Sequence, residues 1–331
     1  MTRKRRVGVI GSIVWDVIYG RDTRSSPIAE WGGISYALSG MDAALSDEWE
    51  IVPIIKVGED LAPAASQFMS GMRRMSSDAR PIVVPYPNNR VELRYFDDER
   101  RSEVMHGGVP PWTWLGLKPV LETARLDALY INFLSGWELD LDTTMLVRQS
   151  FAGPIYCDLH MLAWAVQPDG LRTLRPISNV REWCGCFDVV QVNEDEMRML
   201  AADPMALAAT ALHAGVRCLV VTLAKRGAVY FAAADFERLE LARPASPRPF
   251  QSIASDVGPM RTSIVPADHV VDGGDPTGCG DVWGATYFSR LLAGDNFGDA
   301  ILAAHRAAAR NVGHRGASGL SDYLRGTISL T

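Results

Sequence analysis

An α/β fold built on a largely parallel sheet is the class this sequence predicts, and three observations predict it. Short apolar, β-branched runs alternate with longer amphipathic stretches along most of the 331 residues, the rhythm of successive βα units. Two early segments break that rhythm, one of them with a polar–apolar alternation suited to an exposed antiparallel strand pair. A hydrophobic content of 47% with 22% charged residues supplies a globular core without excess.

Strands are expected at Val7–Ile10, Ile51–Val57, Ala128–Phe133, Ile155–Leu159, Val189–Asn193, Leu219–Leu223 and Ala228–Phe231. Helices are expected at Ala62–Met75, Thr143–Ser150, Glu194–Ala201, Pro204–Ala214, Asp281–Leu292 and Asp299–Val312. The first break in the rhythm runs from about Val14 to Gly33. The second, Arg90–Val104, alternates Val91, Leu93 and Tyr95 with polar neighbours and passes through Asp97-Asp98, as an exposed, two-sided antiparallel pair would. A surface hairpin without a role gives the same pattern. Arg238–Ser263, rich in proline and serine, is either an insertion or a loose loop.

Composition excludes several classes. With 33 basic against 39 acidic residues the formal charge is −6, which argues against binding nucleic acid through bulk electrostatics. The basic head Thr2-Arg3-Lys4-Arg5-Arg6 is too short to change that and reads as a solvated tail. No apolar run reaches the ~20 residues of a membrane helix, and Val7–Ile10 is too short for a signal-peptide core. Five cysteines make no disulfide framework in a chain of this length. Cys184-Gly185-Cys186 has no second pair nearby to complete a zinc site, so buried, reduced thiols in a cytoplasmic protein are expected. Neither a P-loop nor a protein-kinase signature is present.

The most informative stretch is Asp275-Pro276-Thr277-Gly278-Cys279-Gly280-Asp281, followed by the helical pattern Val282, Ala285, Phe288, Ser289, Leu292. Glycines around Cys279 let the backbone turn tightly and press its N–H groups against a ligand. A turn opening a helix is an anion site. A carboxylate at Asp281 would repel that anion unless it has its own task, and the economical one is general base toward an attacking hydroxyl. The competing reading is a glycine turn in which Asp281 only favours the helix N-terminus.

This string, Asp-X-Thr-Gly-X-Gly-Asp before a small-residue helix, resembles the C-terminal signature of the ribokinase-like (PfkB) carbohydrate kinases, with Cys279 where alanine is usual. The resemblance runs from Val7 to Gly316 in the expected order. It implies a ribokinase-like fold over residues 1–331, a central mostly parallel sheet flanked by helices. It also implies a small β lid made from segments 14–36 and 88–106. The implied activity is ATP-dependent phosphorylation of a hydroxyl on a sugar or related molecule. A nucleoside or inositol-type polyol kinase is the nearest alternative, and a non-catalytic nucleotide- or sugar-binding regulator the more distant one.

Residue by residue, the resemblance implies Asp281 as base and Thr277, Gly278, Cys279 and Gly280 as the phosphate cradle. Asp16, just past the turn after the first strand, would bind acceptor hydroxyls; a carboxylate accepts from two neighbouring hydroxyls at once, and capping a turn is the competing reading. Gly32 and Gly33 resemble the diglycine motif that bares backbone to the sugar, with Ala37 where asparagine is frequent and Ser35 and Tyr36 as substitute polar groups. Asn193 and Glu196 resemble the Asn-X-X-Glu motif that organises Mg²⁺, the role the signature favours; on their own they read as a helix capping box. Thr222, Lys225 (or Arg226), Gly227 and Asn311 fall in the nucleotide-binding segments, with Ala224 where glycine is common and His305 as a further candidate. The loop at Gly313–Gly319 resembles one that holds a monovalent cation such as K⁺. Members of the family often dimerise through the lid, so the resemblance admits a homodimer and leaves the oligomeric state open, with no nucleic-acid or membrane partner expected.

Overall fold

The computed structural model describes residues 3–19, 26–95, 101–241, 258–271 and 273–328. In chain order, β1 (Arg5–Ile10) leads into β2 (Ile13–Tyr19), β3 (Ile28–Gly33) and α1 (Ile34–Ala44), then β4 (Trp49–Ile54) and β5 (Lys56–Gly58). After α2 (Ala62–Ser70) come β6 (Ile82–Val84), β7 (Arg90–Tyr95), β8 (Arg101–His106), α3 (Trp114–Ala124), β9 (Ala128–Asn132) and α4 (Leu141–Ser150). The middle of the chain holds β10 (Ile155–Asp158), the short hairpin β11 (Trp164–Val166) and β12 (Arg172–Leu174), and α5 (Val180–Cys184). Next are β13 (Val189–Asn193), α6 (Glu194–Leu200), α7 (Pro204–His213) and β14 (Cys218–Thr222). The last part comprises β15 (Ala228–Ala233), β16 (Met260–Val265), α8 (Cys279–Leu292), α9 (Phe297–Asn311) and α10 (Leu320–Arg325).

An 8-stranded sheet of order β16-β15-β14-β13-β10-β9-β1-β4 forms the centre. From β14 to β4 all pairings are parallel, while β15 and β16 add antiparallel at one edge. Strand periodicity divides the apolar side chains between two cores. Val7, Val9, Ala128 and Tyr130 face the cluster shared with α1, α8 and α9. Ile10, Leu129 and Ile131 face the cluster that takes residues from α3, α4, α5 and α7. A separate 4-stranded sheet, β3-β2-β7-β8, stands against this body.

The expected elements are present, with shifted ends. The run Ile51–Val57 is two strands, because the chain leaves the main sheet at Ile55 and β5 pairs instead with β6. Helix α2 stops at Ser70, where Gly71 follows, five residues before the expected end. The Arg90–Val104 segment is an antiparallel pair, but not two-sided and exposed: Val91 and Leu93 are buried with Val14, Ile18 and Met105 in a small core of their own. Asp97 and Asp98 lie outside the described residues, as do residues 242–257 of the proline-rich excursion, whose end forms β16. The thiols of Cys184 and Cys186 are buried, and burial pushes both up to about 12, an inert state. No helix among the described residues is long and apolar enough to cross a membrane.

Small residues set the approach of α8 to the sheet. A Cβ on Gly284 would lie 2.3 Å from Tyr156 Oη and 2.6 Å from Gln191 Oε1, two buried atoms joined by a hydrogen bond. Alanine ordinarily stabilises a helix interior by ~1 kcal/mol over glycine. Here overpacking, which costs ~1–3 kcal/mol, should win. Gly284→Ala is expected to destabilise by about 2 kcal/mol in denaturant unfolding, and a stability gain would refute this account of the packing.

Candidate active site

The carboxyl ends of the parallel strands are where an open α/β sheet binds ligands, and polar residues gather there. Asn132 closes β9, Asp158 closes β10 and Asn193 closes β13, after apolar runs that give them no outlet but the sheet's end. Above them sits the turn before α8. Asp275 Oδ1 accepts from the Thr277 amide at 2.9 Å and from its hydroxyl at 2.6 Å, fixing the turn's start. Gly278, with φ 72°, caps α8 in the left-handed region, and a Cβ there would lie 2.2 Å from the Tyr36 ring. Only glycine meets both demands.

Asp281 stands in the first turn of α8 and accepts at Oδ1 from Asn132 Nδ2 at 2.7 Å. Gln191 ties the layers together: its Nε2 donates to Asp158 Oδ2 at 2.9 Å and to Gly280 O at 3.2 Å. Burial, reinforced by the nearby charges of Glu196 and Asp281 and opposed by His160, pushes the Asp158 carboxyl well above the usual range.

Asn193 and Glu196 form a complete capping box. Glu196 is buried, and its oxygens accept from Asn193 N at 2.8 Å, Asn193 Nδ2 at 2.6 Å and His160 Nδ1 at 2.6 Å. Burial pulls the His160 imidazole down, but Glu196, through its charge and the hydrogen bond, and then Asp158 and Asp281 carry it up to about 9. Both Glu196 oxygens are thus engaged within the protein. Among the described residues no cluster of three or more His, Cys, Asp or Glu could hold a metal by itself.

Asp16, on β2, points at Gly32 across the β2–β3 pair, and a Cβ on Gly32 would overlap its Oδ2 at 1.8 Å. Gly33, with φ 59°, turns the chain from β3 into α1. Ser35 and Tyr36 are buried at the start of α1. Asp16, Gly33, Tyr36, His160, Thr277, Gly278 and Asp281 line one cavity of about 50 Å³, with Glu103 and Arg172 completing its polar wall. That volume holds a few waters, so a sugar-sized ligand needs the surrounding elements to open. If Asp16 binds a hydroxylated substrate, Gly32→Ala should displace its carboxylate and raise that substrate's KM by ~10-fold or more, the worth of a hydrogen bond to a charged group, with a smaller change in kcat. Steady-state kinetics showing an unchanged KM would refute such a role for Asp16.

The nucleotide-side candidates are more dispersed. Thr222 ends β14 and Gly227, with φ 99°, follows a 3-10 turn in which Ala224 takes the left-handed φ 50° natural to glycine. Arg226 pairs with Glu194. Asn311 is fully buried and donates from Nδ2 to Thr277 O at 2.9 Å and to Cys279 Sγ at 3.2 Å, bracing the glycine turn from below. His305 is also buried; Trp283 donates to its Nδ1 at 3.0 Å, which directs its Nε2–H to Val265 O. Sequence reasoning passed over Asn132, Asp158, His160, Gln191, Glu103 and Arg172.

Residues 171–322 match the sequence profile of the pfkB family carbohydrate kinases. No curated protein sequence matches the chain. Among solved structures it is similar to ribokinase from Thermotoga maritima, at 17% identity and TM-score 0.68, covering 97% of this chain and 98% of that one. A pyrophosphate-dependent kinase of the ribokinase family, complexed with a pyrophosphate analog and myo-inositol, is similar at 14% identity and TM-score 0.68, covering 96% and 98%. A nucleoside kinase from Burkholderia thailandensis, in complex with inosine, is similar at 14% identity and TM-score 0.66, covering 96% and 94%. Residues 171–322 thus match the pfkB carbohydrate kinase profile, and the fold along nearly the whole chain is that of the ribokinase-like structures.

Proposed function

We propose that the chain transfers a phosphoryl group from ATP to a hydroxyl of a sugar or related small molecule. The observation that carries this reading is the convergence of Asp16, Asp281 and the Gly278 turn on one cavity. Asp16 holds acceptor hydroxyls beside Gly32 and Gly33. Asp281, oriented by Asn132, takes the proton of the attacking hydroxyl. Backbone donors at the start of α8 face the phosphoryl charge as it develops. The Cys279 amide is engaged with Pro276 O at 3.1 Å, so Gly278 and Gly280 are the principal donors of this reading. Asn193 and Glu196 would hold Mg²⁺ through water; when bound, the ion offsets charge on the donor phosphates. The small sheet β3-β2-β7-β8 serves as the lid, keeping water from the transfer. The Thr222–Gly227 segment, with Lys225, lies on the donor side.

The test is donor consumption against a panel of pentoses, hexoses, nucleosides and inositols, with MgATP and, because one similar structure is pyrophosphate-dependent, with pyrophosphate in parallel; each is run with and without K⁺. Phosphorylated product with ATP supports the reading and names the acceptor. Product with pyrophosphate only would replace ATP as donor. Binding of ligands from both classes without turnover would favour a regulator.

A further inference from the structure

Two buried carboxamides hold the glycine turn by its carbonyls, one from α9 and one from β13. Asn311 ends α9 and is fully buried; its Nδ2 donates to Thr277 O at 2.9 Å and to Cys279 Sγ at 3.2 Å. Gln191, in the middle of β13 and 3% exposed, donates from Nε2 to Gly280 O at 3.2 Å and to Asp158 Oδ2 at 2.9 Å. Its Oε1 accepts from the Tyr156 hydroxyl. A carbonyl oxygen can only accept, so each carboxamide must present its NH₂ end to the turn.

Thr277 and Gly278 share a peptide bond, and no peptide bond among the described residues is cis. In a trans peptide the C=O and N–H point in opposite directions. Asn311 holds the Thr277 carbonyl toward α9, which aims the Gly278 N–H away from α9, and Gly278 lines the cavity together with Asp281. Donation to the carbonyl also polarises that peptide and strengthens its N–H as a donor. Gln191 holds Gly280 O, so the turn is restrained at both ends although its glycines are permissive. Packing does not account for asparagine at 311. Its Oδ1 is buried without a hydrogen-bond partner among the described residues, and an unmade bond of that kind destabilises a fold.

We infer that Asn311 is a positioning residue that aims the Gly278 N–H at a bound phosphate group, with Gln191 fixing the far end of the same turn. The inference rests on the reading of this turn as the phosphate cradle. It moves Asn311 from contact with the nucleotide to support of the backbone that contacts it. The test is calorimetric titration of the full chain, wild type beside Asn311→Leu and Gln191→Met, with Mg²⁺ present throughout. The probes are ATP and pyrophosphate, with adenosine as the phosphate-free control. Steady-state kinetics on a phosphorylated acceptor follow.

At least one of the two phosphate ligands should bind the wild type. Asn311→Leu keeps the γ-branched shape without a donor, and should weaken that ligand by ~5-fold or more, as when a hydrogen bond to a charged group loses its aim. Adenosine should bind as before. kcat should fall by ~10-fold or more, part of the ~10²–10³ that a lost oxyanion-hole donor costs, while acceptor KM holds. A merely structural role would move both constants or neither. Gln191→Met should act in the same direction, and carries the test if Asn311→Leu does not fold. Binding of neither phosphate ligand by the wild type, or affinities unmoved in the folded variants, would overturn the inference. So would a loss of adenosine affinity equal to that of ATP, which would put Asn311 against the nucleoside. A phosphate ligand that binds and weakens as stated, with no acceptor phosphorylated by any donor, leaves this inference standing and removes the kinase reading. Turnover on an acceptor with kcat unmoved in the folded variants does the reverse.

Discussion

Asp281→Asn should lower turnover by ~10²–10⁴-fold, the usual contribution of a general base, and leave the fold intact. The substitution is isosteric, and the oxygen that accepts from Asn132 Nδ2 at 2.7 Å is retained as an amide oxygen. Acceptor binding is assigned to Asp16 and the diglycine backbone, so KM should move little while kcat falls. That split separates a proton-abstracting group from one that only binds. The decisive measurement is single-turnover phosphorylation, with Tm recorded on the same samples. Retained turnover would end the assignment of Asp281 as base. A fall in activity matched by a large fall in Tm would move Asp281 from chemistry to structure.

The conformation of the glycine turn was legible in sequence because it is set locally. Asp275, Thr277, Gly278 and Asp281 set the turn, the positive φ and the helix start within seven residues, and the structure holds them so. At Asn193–Glu196 it is the competing capping-box reading that the structure shows, formed in full. What surrounds them was not. Asn132, Asp158 and Gln191 are single polar residues in apolar strands, brought to Asp281 and Gly280 only by parallel pairing. A signal existed: Asn132 and Asp158 each end a strand, as Asn193 does, and strand ends of a parallel sheet face the ligand crevice. Arg172 had no such signal. Its hairpin strands span three residues each, too short for periodicity to register, and its partner Glu103 comes from the other sheet.

The second large effect is expected at Gly278, where backbone and packing requirements coincide. Alanine there must hold φ near 72°, a left-handed conformation costing ~1–2 kcal/mol, and must place its Cβ 2.2 Å from the buried Tyr36 ring. Overpacking adds ~1–3 kcal/mol, so Gly278→Ala should destabilise by about 2–5 kcal/mol. The chain can relax only by drawing the turn away from Tyr36, which in the proposed mechanism rotates the amides at the start of α8 off the phosphoryl group. Turnover should then fall by ~10²–10³-fold, as when one donor is lost from an oxyanion hole. Combining it with Tyr36→Ala separates the two causes. The double variant should recover part of the stability, because the clash is gone. It should recover little turnover, because the left-handed strain and the displaced amides remain. Full recovery of turnover in the double variant would mean that Tyr36 packing, not amide geometry, sets the rate, and the anion-hole role of Gly278 and Gly280 would fall with it.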